Sequence, residues 1–281
     1  MSRPISRRRL AGSLAAAPFL ATGVRADVTH ASGGYVDPRK VLLWESSRRE
    51  FRELVEGGGL KAMIVATGST EQHNEHLAMI HDTASVTLIA QQAALRLYPQ
   101  VMLATPVAVG ISPHWMDRKG TLTLRKETFL AVVYEICESL QVHGVKRILI
   151  LNGHGGNEEP LAGAVSGFRE KLGINVQFDS YWAAYTPEII RKYMESNRAP
   201  AHAAEFETSF AMAAFPQRIH WEGVDYAEAK KRLTIKDPVS RREDEEFARE
   251  AKLASTAKGE AMIGIAVEWT VERLRRMISE A

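Results

Sequence analysis

Four short apolar runs separated by helical patterns constrain this chain most. Residues 61–68 (KAMIVATG), 101–109 (VMLATPVAV), 147–151 (RILIL) and 174–179 (INVQFD) read as buried strands. Between them, helical patterns cover about 83–97, Lys126–Val142 and about 158–171. A strand that is apolar on both faces needs helices on both sides of its sheet. The alternation therefore predicts an α/β fold of three layers, α/β/α, around a mostly parallel central sheet. A single domain over residues 27–281 has enough chain to bury such a core. Residues 223–245 are charged and read as irregular. From about Asp244 the chain reads as one or two amphipathic helices, candidates for a subunit contact.

The first 26 residues stand apart. Ser6-Arg7-Arg8-Arg9-Leu10 precedes the weakly apolar AGSLAAAPFLATGV, and Val24-Arg25-Ala26 forms a small-x-small cleavage site before Asp27. This order is that of a twin-arginine export signal and predicts a periplasmic protein. The apolar stretch is too short and too rich in Ala and Gly to span a membrane, and no other segment reaches spanning length. Whole-chain charge is 36 basic against 34 acidic residues. Removing the five arginines of 1–26 leaves 31 against 34, about −3, so the alkaline whole-chain pI is no argument for nucleic-acid binding. The single cysteine, Cys137, excludes an internal disulfide and Cys-based metal sites; it reads as a buried thiol.

Chemistry gathers at the predicted strand ends, where open α/β sheets hold their sites. Glu71-Gln72-His73 follows the first run; in extended chain Glu71 and His73 point the same way. Asp82 stands just before a helix, as an N-cap or a ligand. His154 lies in Asn152-Gly-His-Gly-Gly-Asn157 after the third run. There the glycines let the backbone turn and leave space above the site, and Asn157 can cap the next helix. A second cluster is His202-Ala-Ala-Glu205-Phe-Glu207-Thr-Ser209. If a helix opens at His202, then His202 and Glu205 share a face and Glu207 does not, which favours Glu205 as a further ligand. The alternative is that both glutamates are ordinary first-turn carboxylates. Mixed His and carboxylate donors suit zinc, manganese or iron. Glu71, Asp82 and Glu205 with neutral His73 and His154 would balance two divalent ions and one hydroxide, although one ion is also compatible. His76 and His81 are ligands or neighbours of ligands. Ser69 and Ser112 lack a Gly-x-Ser-x-Gly elbow, there is no His-Glu-x-x-His, and the glycine spacing fits neither a dinucleotide fingerprint nor a P-loop.

GSTEQHNEHLAMIHD, then GTLTL at 120–124, NGHGGN and HAAEFETS occur in that order. On these motifs the chain resembles the creatininase (creatinine amidohydrolase) family from about residue 40 to about 215. The resemblance implies an α/β/α fold, one or two divalent ions per subunit, homo-oligomers that are frequently hexamers, and hydrolysis of C–N bonds in cyclic amides or small formamides. By position it implies Glu71, His73, Asp82 and His154 as metal ligands, with Asp82 bridging. It implies Glu205 as the fifth, because creatininase carries its glutamate where this chain has Gly156; Glu205 is then a catalytic residue as well as a ligand. His202 matches a histidine that shuttles protons. Asn74, Ala78 and Ala204 depart from the family's Gly, Pro and Gly, and no Phe-Pro precedes Gly120. These departures surround the pocket and bear on substrate; Gly156 argues against creatinine itself. The expected partner is a small amide, attacked by metal-activated water, with Trp115 and Trp182 as candidate walls of the pocket. The alternatives are a non-catalytic metal-containing protein that holds a small ligand, and a formamide hydrolase, against which export counts.

Overall fold

A computed structural model of the chain describes residues 36–224 and 238–280. The export signal read over 1–26 lies outside the described residues, as does the stretch 225–237. The sheet has four parallel strands, β1 (Ala62–Thr67), β2 (Val101–Leu103), β3 (Arg147–Asn152) and β4 (Asn175–Ser180), in the order β2-β1-β3-β4. The second strand is shorter than its apolar run. Pro106 has no N–H to donate, and pairing with β1 returns only as a bridge between Thr67 and Val107.

Alternation along the strands divides the core into two. Ala62, Ile64 and Ala66 of β1 face one side with Leu149 and Leu151 of β3; Met63 and Val65 face the other with Ile148 and Ile150. The first side is covered by α2 (His81–Arg96), α6 (Glu205–Ala214) and α8 (Thr256–Ser279), through Val86, Ile89, Phe206, Phe210, Met262 and Leu274. The second is covered by α3 (Lys126–Val142) and α4 (Gly155–Leu172), through Phe129, Val133, Leu161 and Phe168. Cys137 is buried in this second core as a free thiol. The three layers are those predicted.

The remaining helices are α1 (Arg48–Glu56), closed at its start by a Ser47–Glu50 capping box, α5 (Pro187–Tyr193) and α7 (Pro238–Ala251). The part of the charged stretch that falls on 238–245 is therefore helical. The long C-terminal helix α8 buries Met262, Val267, Val271 and Leu274 against α2 and α6 within this chain. No helix among the described residues is long and apolar enough to cross a membrane.

Strand order locates the site. From β1 the chain crosses through α2 to β2 on one side; from β3 it crosses through α4 to β4 on the other. The connections diverge above the C-terminal ends of β1 and β3, and diverging connections open a crevice.

Candidate metal centre

Three loops line this crevice and two asparagines lace them together. Thr67 at the end of β1 donates to Asn152 Oδ1 at the end of β3 at 3.1 Å, and Asn152 Nδ2 donates to the His154 carbonyl at 2.7 Å. Asn157 does not cap α4; His154 occupies the N-cap. Instead Asn157 Nδ2 donates to the Gly68 carbonyl at 3.0 Å and its Oδ1 accepts from Ile111 N–H at 3.0 Å, tying the loops after β1 and β2 to α4. The GTLTL segment supplies hydroxyls to the same scaffold: Thr121 Oγ1 accepts from Gln72 N–H at 3.1 Å and Thr123 Oγ1 from Ser112 N–H at 2.8 Å. Gly156 is required here by close approach rather than by turning. A Cβ at this position would collide with the Ile111 carbonyl and the His154 ring, so no larger residue can project from it.

Glu71, His73, Asp82 and His154 converge beneath these loops, all essentially buried. Asp82 lies inside the first turn of α2 and makes no cap; Ile80 is the N-cap residue. Its two oxygens face two imidazoles, Oδ1 at 2.9 Å from His73 Nε2 and Oδ2 at 2.9 Å from His154 Nδ1. The outer nitrogen of each ring is engaged by a backbone carbonyl, His73 Nδ1 with Glu71 O at 3.0 Å and His154 Nε2 with Ile111 O at 3.0 Å. A carbonyl only accepts, so those nitrogens carry the protons and the inner nitrogens of the neutral rings are bare. Bare nitrogens would then face carboxylate oxygens, lone pair against lone pair. Positive charge is required between them. Burial opposes charge on both imidazoles, but the carboxylates outweigh it. Asp82, Glu207 and Glu71 raise His73 to about 10, and Asp82 and Glu71 raise His154 to about 10. Asp82 moves the opposite way: burial raises it, and the two imidazoles pull it well below the ordinary carboxylate range.

A metal cation meets the same requirement. Glu71, Asp82 and His154 present ligand atoms within 4.8 Å of one another, as do His73, Asp82 and Glu207, and also Glu71, His73 and His202. Glu71 Oε2 is buried without a hydrogen-bond partner. Three carboxylates, two bare imidazole nitrogens and an unpartnered buried oxygen fit divalent ions of the zinc or manganese kind.

The structure does not bring Glu205 to this cluster. Helix α6 begins at Glu205, not at His202, because Ala203 adopts a left-handed backbone (φ 48°) and Ala204 is extended. The shared helical face of His202 and Glu205 therefore does not exist. Glu205 turns away, accepting from Glu195 N–H at 3.0 Å, Ser196 N–H at 2.7 Å and Lys258 Nζ at 2.5 Å. Burial raises its carboxyl, but these donors outweigh it and lower the pKa below the ordinary 4.5. Glu207 takes the place assigned to Glu205. It accepts from Ala203 N–H at 2.5 Å and lies 3.6 Å from His73 Nε2, and burial raises it to about 7. Its position in the first turn, reaching back past the helix start, was the available signal.

His202 borders the cleft with its ring stacked on Trp115, centroids 4.5 Å apart, and its Nδ1 3.6 Å from Glu71 Oε1. Burial holds it well below the ordinary histidine range. Trp115 and Trp182 both line the cleft, which has a volume of about 430 Å³. His76 and His81 are buried beside the centre and occupied elsewhere, His76 with Thr208 at 2.8 Å and His81 with Ser85 at 3.3 Å; burial depresses them to about 4 and about 3. Ser69 and Ser112 bond each other at 2.8 Å. Two residues without a role in the sequence reading also matter here. His114 lies parallel to the His154 ring at 6.3 Å, and Gln72 Nε2 meets His202 Nε2 at 2.9 Å.

The sequence model of the family described as Creatininase: Creatinine amidohydrolase matches residues 44–274. The mycofactocin precursor peptide peptidase of Mycobacterium ulcerans is 30% identical over 163 residues, 56% of this chain and 59% of the relative. The chain thus spans about three fifths of that relative's length. The creatinine amidohydrolase of Pseudomonas putida is 25% identical over 256 residues, 84% of this chain and 97% of the relative. A crystal structure of creatinine amidohydrolase superposes with a TM-score of 0.71 at 22% identity, covering 86% of this chain and 99% of the other, a likeness of fold.

Proposed function

We propose, from the premise that this chain belongs to the creatininase family, that it is a metal-dependent amidohydrolase cleaving a C–N bond of a small cyclic or linear amide. One observation carries the reading: two imidazoles with their outer nitrogens engaged by backbone carbonyls turn their inner nitrogens toward Asp82, under an open cleft. Glu71, Asp82 and His154 would hold one ion, and His73, Asp82 and Glu207 a second, Asp82 being common to both groups. Bound there, divalent ions supply a Lewis acid for an amide carbonyl and an activated water at neutral pH.

The chain's own residues do the rest. The engaged imidazoles and the asparagine lacing fix the donors, so little reorganisation is left for the reaction. Trp115 and Trp182 wall a cleft whose volume suits a small substrate. Nothing lies within contact of a Cβ built at Gly155, which leaves the approach open. His202 is a polar side chain lining the cleft beside the cluster, placed to act on the substrate's carbonyl oxygen or its leaving nitrogen.

The test is metal analysis of the purified protein after loading with zinc, manganese or iron. A screen for ammonia and amine release over cyclic amides, linear amides, formamides and short peptides follows. Binding of about two equivalents with release from at least one small amide is expected. A protein that takes up no metal sinks the proposal; a metal-loaded protein without release from any compound favours a ligand-holding role. Export from the leader read over 1–26 belongs to the same proposal, and so does a homo-oligomer.

A further inference from the structure

Gln72 stands between Glu71 and His73, yet its amide serves neither. Gln72 Oε1 accepts from the backbone N–H of Asn74 at 2.9 Å. A backbone N–H can only donate, so that end of the amide is the oxygen. Asn74 holds its N–H there from a left-handed backbone, φ 55°, and its own side chain donates to the Asp244 carbonyl at 3.0 Å. The other end of the amide is therefore the NH2 group, and it meets His202 Nε2 at 2.9 Å. An NH2 group donates, so His202 Nε2 must accept. A neutral imidazole carries one proton; on His202 it then sits on Nδ1. That nitrogen is 3.6 Å from Glu71 Oε1, beyond a normal hydrogen bond, in a side chain that remains 18% exposed at the cleft. Stacking on Trp115 and the edge contact with Phe247, centroids 5.7 Å apart, hold the ring in this orientation.

We infer that Gln72 is a positioning residue that fixes His202 as the Nδ1–H tautomer, making it a neutral hydrogen-bond donor to the oxygen on which charge develops. Two consequences follow. A nitrogen that already bears a proton cannot coordinate an ion, so of the three possible ligand groups the one containing His202 is not a metal site. Nor can that nitrogen accept a proton from water at the start of the reaction. Its resting role is to donate a hydrogen bond, as a neutral imidazole does when it polarises a carbonyl. The catalytic half rests on the hydrolase reading above; the tautomer does not.

The experiment separates the two. In zinc-loaded protein with 15N-labelled histidine, the His202 signals are identified by their loss in His202→Ala, and each ring nitrogen is classed as protonated or bare. Wild type should show a protonated Nδ1 and a bare Nε2. In Gln72→Glu a carboxylate accepts from both Asn74 N–H and His202, so the proton should move to Nε2. In Gln72→Met, which has no donor, the two tautomers should mix. With the amide identified by the release screen, both variants should retain their metal and lose at least about tenfold in kcat with little change in KM. That loss is part of the roughly 10²–10³-fold that one lost donor to a developing oxyanion costs. A bare Nδ1 in wild type, or an unmoved proton in Gln72→Glu, overturns the tautomer assignment. A moved proton with unchanged kcat overturns the catalytic role alone. If wild type proves inactive, the nitrogen signals still decide the tautomer, and the hydrolase reading fails separately.

Discussion

The strand ends and the entrance to α6 deliver carboxylates to the same few ångströms by opposite means. Behind Glu71 and His154 stand β1 and β3, paired residue by residue and buried except at Arg147, so the direction in which the chain leaves the sheet is set before the loop begins. Behind Glu207 stands a loop with no such frame, residues 194–204, which contains left-handed Asn197 and Ala203. Its shape is held by Glu205, whose carboxylate takes two backbone N–H groups of that loop and Lys258 of α8. One glutamate holds the loop and the other, two residues on, faces the cluster. At a strand end the position of a residue gives its direction; at a helix entrance the first helical residue must be known, and a shift of three residues exchanges one glutamate for the other.

Mutations can break or sharpen this comparison. The largest effect should come from Asp82→Asn, since Asp82 faces both imidazoles. Metal content should fall for both ions, and turnover by more than the roughly 10–100-fold typical of groups that merely support ligands. Elemental analysis beside rate measurement checks it, and full metal content would refute a shared role. Next comes Glu207→Gln, which should remove about one metal equivalent and most activity, while Glu205→Gln retains the metal. The reverse pattern would restore Glu205 as a ligand and discard the helix start at residue 205. A third test is Lys258→Met. It leaves Glu205 buried with only its backbone donors, and should lower unfolding stability by up to about 3 kcal/mol in denaturant titration, with metal still bound. An unchanged midpoint would show that the clamp contributes nothing.

The smallest effect is the pH dependence of that difference. Glu205 is lowered in the folded protein from 4.5, so its contribution is complete above about 4.5 and disappears as pH falls through the lower folded value. Burial lowers Lys258, but Glu195 and Glu205 outweigh it and raise it above 10.5, so its contribution is complete below 10.5 and lost on passing the raised value. The gap between wild type and Lys258→Met should therefore be flat from about pH 4.5 to 10.5 and close in acid. A gap that widens in acid contradicts the pairing.

The same contrast explains what could be read from the sequence. The three layers and the parallel sheet follow from apolar runs and helical periodicity, both local signals, and the sheet's direction carries Glu71, His73 and His154 to one crevice. Asp82 was ambiguous, because the cap at Ile80 and the first-turn position of Asp82 are only two residues apart. Glu205 was misplaced because nothing in HAAEFETS announces that Ala203 is left-handed; alanine seldom adopts that conformation, and its neighbours impose it. Gln72 passed unnoticed because its meaning depends on a contact with a residue 130 positions away.

The clamp has a consequence for how the molecule is made. A ribosome delivers the chain from its N-terminus, and domains begin to organise as they emerge. Glu71, His73, Asp82, His154 and Glu207 will all have left it before Phe247, which braces His202, and before Lys258, which secures the loop ahead of α6. The nascent chain thus holds every candidate ligand while His202 still lacks its contact with Phe247 and the loop ahead of Glu207 still lacks Lys258. The order of synthesis therefore makes the fixing of the site, rather than the supply of its side chains, the late event.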